Sequence, residues 1–117
     1  RSFQLTLQGM ASEAKGDLAA ASQQYYEASN TESPTWISLN SLAAMWLNSG
    51  NLAACRTYLE LAEAKAPSTS EIQITRARYF ASKGDREKAR ALLRQIVDVV
   101  GNFARTRTLA EALLKKM

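Results

Sequence analysis

The 117-residue chain carries fifteen basic against eleven acidic side chains, a single cysteine and no histidine. By length it is one small domain, and its composition excludes several kinds of chemistry. One Cys cannot close an internal disulfide, so oxidation does not hold the fold together, and without His the commonest general base and the commonest metal ligand are both missing. Ala and Leu dominate while Gly and Pro are scarce, which favours helix, and no apolar run approaches the roughly 18–20 residues that span a bilayer.

The first predicted helix holds Phe3, Leu5, Leu7, Met10, Ala11 and Ala14, an apolar set compatible with helical spacing. Lys15 suits its negative end and Gly16 can take the left-handed conformation that stops it. Asp17 then caps a second helix over about 18–30, with Leu18, Ala21, Ser22, Tyr25 and Ala28 on one stripe. Ser33-Pro34 reads as an N-cap followed by a first helical residue.

The third helix, opening Thr35-Trp36-Ile37-Ser38-Leu39 and continuing through Leu42, Ala43, Met45, Trp46 and Leu47, is apolar nearly all round, so burial on more than one side is expected. After the turn at Asn48–Asn51 a fourth helix, Leu52–Lys65, points Cys55, Tyr58, Leu59 and Ala62 inward and ends before Pro67. Ser68-Thr69-Ser70-Glu71 has the spacing of a capping box. A fifth helix carries Ile72, Ile74, Ala77, Tyr79, Phe80 and Ala81, and a sixth, over about 86–99, carries Ala89, Leu92, Leu93, Ile96 and Val97. Gly101-Asn102 is a further stop signal. The last helix, from Phe103 to about Lys116, places Phe103, Ala110, Leu113, Leu114 and Met117 on one face. The expected class is all-α, with about seven helices and short loops.

Three turns repeat: Lys15-Gly16-Asp17, Ser49-Gly50-Asn51 and Lys83-Gly84-Asp85, whose glycines fall 34 residues apart twice over. A fixed period of this size marks an array of one supersecondary unit. Small residues recur in the first helix of each unit as Gly9, Ala43 and Ala77, and large aromatics three residues on as Trp46 and Phe80, with Ser12 departing. In the second helices the small residue is Ala21, Cys55 and Ala89, the bulky one Tyr25, Leu59 and Leu93, and the next small one Ala28 and Ala62, with Ile96 departing. A closing proline stands only at Pro67.

This pattern resembles the tetratricopeptide repeat over almost the whole chain. The resemblance implies a single domain, 1–117, with repeats at about 2–35, 36–69 and 70–103 and a capping helix over 103–117. It implies a right-handed superhelical solenoid whose concave groove is lined by the first helix of each repeat and binds a protein or peptide. Carried over by position, that lining is Phe3, Thr6, Met10 and Glu13, then Ile37, Asn40, Ala44, Leu47 and Asn48, then Glu71, Ile74, Arg78 and Ala81. The family's clamp for a C-terminal carboxylate is not supported, because Thr6, Met10, Glu71 and Thr75 occupy most of its places. Glu111 stands where a fourth repeat would want a small residue, so the last helix reads as a cap. Cys55 fills a small-residue core slot and reads as an inert buried thiol.

No nucleophile–base system or phosphate loop is present in the sequence, so the reading is not an enzyme, with no cofactor and no metal. An adaptor, scaffold or assembly chaperone is expected, in a style that resembles modules of bacterial secretion, pilus or envelope assembly. Two other readings stand beside it. A segment of a longer array exposes its own interior and can self-associate. The basic half is the other: residues 70–117 carry eleven basic groups against five acidic, a balance of +6, whereas residues 1–35 carry two against four, a balance of −2. Arg76, Arg78, Lys83, Arg86, Lys88, Arg90, Arg94, Arg105 and Arg107 could face RNA, but Asp85, Glu87 and Asp98 are interleaved and no side-chain code recurs, so nucleic acid is the less favoured partner. Lack of disulfides points to the cytoplasm, and a disulfide-free periplasmic or envelope domain would read the same. A chain that opens on Arg rather than Met reads as an excised segment, and any signal, anchor or further repeats could lie outside it.

Overall fold

The computed structural model describes residues 2–31, 34–67, 69–98 and 104–116. Among them are seven helices and no strand: α1 (Ser2–Ala14), α2 (Leu18–Ser29), α3 (Trp36–Asn48), α4 (Leu52–Lys65), α5 (Ser70–Lys83), α6 (Arg86–Asp98) and α7 (Ala104–Lys116). None of these helices is long and apolar enough to cross a membrane. The chain divides into two compact units, Arg1–Pro67 with α1–α4 and Ser68–Met117 with α5–α7.

The three glycine turns share one hydrogen-bonding scheme. Gly16, Gly50 and Gly84 have φ of 83°, 85° and 93°, a region that side chains with a Cβ rarely enter. Their N–H groups bond to the carbonyls of Glu13 (3.0 Å), Leu47 (3.0 Å) and Ala81 (3.1 Å), and the next N–H bonds to Ser12, Trp46 or Phe80 at 2.9 Å in each case. This is the paired bonding of a Schellman stop. The residue that donates the second bond also starts the next helix: Asp17 Oδ1 accepts from Ala20 N–H at 3.1 Å, Asn51 Oδ1 from Ala54 N–H at 3.0 Å and Asp85 Oδ1 from Lys88 N–H at 3.2 Å. One residue thus closes one helix and caps the next, which keeps each turn short.

Two helix starts differ from expectation. The third helix begins at Trp36, capped by Thr35, whose Oγ1 accepts from Ser38 N–H at 3.1 Å. Pro34 is not helical, and the expected cap Ser33 lies outside the described residues. Thr35 prevails because its hydroxyl also bonds Thr6 Oγ1 at 2.8 Å, adding a tertiary contact to the local one. The fifth helix begins at Ser70 with Thr69 as N-cap, which makes no side-chain cap bond, so Glu71 is one place too early to close a capping box on it. Ser68 lies outside the described residues, as do Val99, Val100, Gly101, Asn102, Phe103 and Met117.

In the first unit α1 packs on α2, α2 on α3 and α3 on α4, and α1 also touches α3. Ala21, Tyr25 and Leu42 form a buried cluster flanked by Met45 and Tyr58. Fully burying a residue such as Leu39 or Leu42 stabilises by roughly 1.5–3 kcal/mol. At Gly9 the approach of α2 to α1 is so close that an added Cβ would stand 2.7 Å from Tyr25 Cε1. Ala43, Cys55, Leu59 and Ala62 are buried as their periodicity requires. Leu18 is exposed instead, so the buried stripe of α2 starts at Ala21.

In the second unit α5 packs on α6, α6 on α7, and α5 touches α7. Its core is Ile74, Ala77, Ala89, Leu93, Ile96 and Ala110, edged by Phe80, Leu92, Val97 and Leu113. Ala110, which belongs to the core that α7 shares with α6, stands two 34-residue periods after Leu42, which belongs to the cluster α3 shares with α2. Within its own unit, α7 thus meets α6 at the position through which α3 meets α2. Glu111 is exposed and pairs with Arg107 at 3.4 Å.

Candidate functional site

Helix geometry decides which side of α1 is open. Leu5 and Gly9, one turn apart, face inward with Ser2 and Thr6. Phe3, Leu7 and Met10, spaced by four and three residues, share another face. They are 66%, 48% and 45% exposed, a run of large apolar side chains in water. Scattered exposed apolar residues need no explanation, but a contiguous stripe on one helix is the form of surface that binds something.

Hydrogen bonds on the opposite, buried face tie α1 to the start of α3. Ser2 Oγ accepts from the Thr35 N–H at 3.2 Å and donates to Ala28 O at 3.4 Å, and the Thr6 hydroxyl donates to Ser2 O at 2.8 Å. Together with the Thr6–Thr35 hydroxyl contact, these bonds join α1, the end of α2 and the start of α3 in the first unit. At the far end of α1 the Tyr25 hydroxyl donates to Glu13 Oε1 at 2.8 Å. Burial, together with this bond to a carboxylate and against a smaller opposing effect of Ser41, pushes the phenol up to about 12.

Of the residues expected to line a groove, Phe3 and Met10 are exposed, while Thr6 is buried and spent on the bonds just described. Glu13 is exposed and receives Tyr25. On α3, Ile37, Asn40 and Ala44 are partly exposed, Asn48 is exposed and Leu47 is buried. Asn40 is distinctive, since its Oδ1 is buried with no hydrogen-bond partner among the described residues, which leaves an acceptor to be satisfied. In the second unit Ile74 is a core residue, Arg78 and Ala81 are partly exposed, and Glu71 is exposed with Thr106 Oγ1 at 3.5 Å from its carboxylate. Thr6, Leu47 and Ile74 therefore offer almost no surface. The residues of α1 and α3 share one unit; those of α5 lie in the other.

Leu7 was absent from the expected lining, although its spacing from Phe3 and Met10 was the signal that could have found it. A second surface in the first unit also went unforeseen: a cleft of about 380 Å³ where Tyr26 and Trp46 stand over Leu42. In the second unit, several expected basic residues are arranged around aromatic rings. Arg76 and Lys88 lie 5.7 and 5.4 Å from the Phe80 ring centre, and Lys83 lies 5.6 Å from that of Tyr79. The Arg105 side chain lies outside the described residues. Glu60, in α4, pairs with Arg56 at 3.0 Å on a solvated face.

No family model, curated protein or solved structure matches the chain.

Proposed function

We propose that the chain is a tetratricopeptide-like interaction module, its helical pairs stacked as a right-handed solenoid, that binds a peptide or helix of a protein partner as an adaptor, scaffold or assembly chaperone. The observation that carries the reading is the exposed stripe Phe3, Leu7 and Met10 of α1, in the same unit as the partly exposed Ile37 and Ala44 of α3. Spacings of three and four residues suit an amphipathic helix laid along the stripe. The recurring turns support the stacking, as does the use of equivalent positions where α3 meets α2 and where α7 meets α6.

The test uses a photo-crosslinking amino acid at Leu7 and a leucine-rich amphipathic helical peptide as probe. Crosslinking to the peptide, lost when Phe3→Asp and Met10→Asp are combined, is expected. Both side chains are exposed, so the double variant keeps its helical circular dichroism. A folded double variant that crosslinks as well as the parent would overturn the reading. A crosslink to a second copy of the chain would replace it with self-association.

A further inference from the structure

The second unit contains a surface that the α1 stripe does not account for. A cleft of about 390 Å³ lies between α5 and α6. Phe80 and Leu92, both packed on the core of the unit, give it an apolar lining together with Ala91. Arg76 stands on the α5 side and Lys88 on the α6 side, each within 6 Å of the same Phe80 ring centre at 5.7 and 5.4 Å. Its lining contains no acidic residue. Arg76 and Arg78 are two residues apart on α5 and so point to different sides of the helix, which separates this cleft from the Arg78 face.

We infer that this cleft binds an acidic segment of a partner protein in which one large apolar side chain is flanked by carboxylates. Charge complementarity is the first reason. The cleft presents two cations, one from each helix, in a stretch where residues 70–117 carry a balance of +6, and such a field draws in anionic partners and fixes their orientation. The apolar lining supplies the place for the central side chain. Lys88 reaches Asp85 Oδ2 only at 3.7 Å, with the lysine side chain largely in water, a pairing weak enough for an incoming carboxylate to displace. The distance from Gln73 to Phe80 along α5 is about 10 Å, room for about two turns of a bound helix. Single-stranded nucleic acid fits less well, because successive bases stack on several aromatic rings and the lining of this cleft holds one, Phe80.

The test is fluorescence anisotropy on the 117-residue chain with a short fluorescein-labelled peptide of alternating Glu and Leu around one Phe. Saturable binding that weakens with salt is expected, together with loss of binding when every Glu of the peptide is replaced by Gln. Arg76→Glu and Lys88→Glu should each weaken binding by roughly tenfold or more, as truncating a charge partner does. Should Arg76→Glu disturb α5, Lys88→Gln carries the same test at a mostly exposed head group. Absence of binding up to about 1 mM peptide, the weak end of specific affinities, would overturn the inference. Equal binding of the Gln peptide would do so too. An oligouridylate that binds and is lost in the same variants would assign the cleft to nucleic acid, and a dimer lost in them would assign it to a second copy. Phe3→Asp with Met10→Asp should leave this binding unchanged, so the α1 stripe and the cleft fail or stand separately.

Discussion

Replacing Gly9 by alanine sets two effects of opposite sign against each other. Gly9 lies in the interior of α1, where helix propensity alone makes alanine more stable by about 1 kcal/mol. The added methyl, however, would stand 2.7 Å from Tyr25 Cε1, 2.8 Å from Cδ1 and 3.0 Å from Cζ. Flexible chain ends yield to such contacts, but this ring cannot easily do so. Tyr25 is fully buried, and its hydroxyl is held by Glu13 of α1 at 2.8 Å, so a shift of the ring strains the contact on one side and the hydrogen bond on the other. Overpacking of this kind costs roughly 1–3 kcal/mol, and the closed surroundings of Tyr25 place the cost in the upper part of that range. Net destabilisation of about 1–2 kcal/mol follows, a fall in Tm of roughly 5–10 °C for a unit of this size. Thermal unfolding followed by circular dichroism measures it. The Tyr25→Leu background supplies the control: without the ring Gly9→Ala should regain its propensity advantage, a coupling of about 2–3 kcal/mol. A Gly9→Ala protein melting at or above the parent would refute the reasoning, since propensity would then outweigh contact.

At Gly50 only the backbone is at stake, because a Cβ there meets nothing within 4 Å while φ is +85°; Gly50→Ala should cost about 1–2 kcal/mol in urea titration, and Gly50→Asn less. Thr35→Val removes both the cap on Ser38 N–H and the bond to Thr6, and should lower stability by about 1–2 kcal/mol, with Thr35→Ser restoring most of it. Tyr25 titrates late: its phenol is raised from the ordinary 10.0 to about 12, so the folded chain keeps a proton that the unfolded chain releases. The stability it contributes is complete below pH 10.0 and is lost as pH rises through about 12. Ultraviolet absorbance should show one of the four tyrosines ionising last, with Glu13→Gln bringing it earlier.

The features most legible in the sequence were those in which one residue type alone satisfies the backbone. A left-handed φ at a helix end selects Gly, and the N–H groups that follow select Asp or Asn, so Gly16-Asp17, Gly50-Asn51 and Gly84-Asp85 were assigned correctly from chemistry that is local. Inside and outside were harder to separate. α1 has apolar residues around most of its circumference, and spacing cannot tell that Leu5 packs while Phe3, Leu7 and Met10 face water. Thr6 and Leu47 took groove places by position, yet burial removes them, Thr6 because its hydroxyl completes the junction with Thr35. The start of α3 followed the same rule: Ser33 and Thr35 offer comparable caps locally, and a residue nearly thirty positions away favours Thr35.

The period that aligns the turns also bears on whether the α5–α6 cleft is an interior left open or a surface in its own right. One helical position reads Leu5, Gln8 and Ser12 in α1, Leu39, Leu42 and Trp46 in α3, and Gln73, Arg76 and Phe80 in α5. In α3 this face is covered by α2, and Leu39 and Leu42 are buried. In α1 Leu5 is still buried but the next two places on this face have turned polar: Gln8 is exposed, and the Ser12 hydroxyl bonds Gln24 at 2.7 Å. An interior face exposed only for want of a neighbour keeps apolar residues, because burial is what those side chains are for. α5 instead replaces both leucines, with glutamine and arginine, and retains the aromatic, to which Lys88 of α6 adds a second cation. Leucine at residue 76 would serve packing as it does at residue 42; an arginine against an aromatic ring serves a surface that meets water and charge. The substitution of charge for aliphatic bulk at equivalent places is therefore the reason to treat the cleft as a binding surface for an acidic partner and not as exposed core.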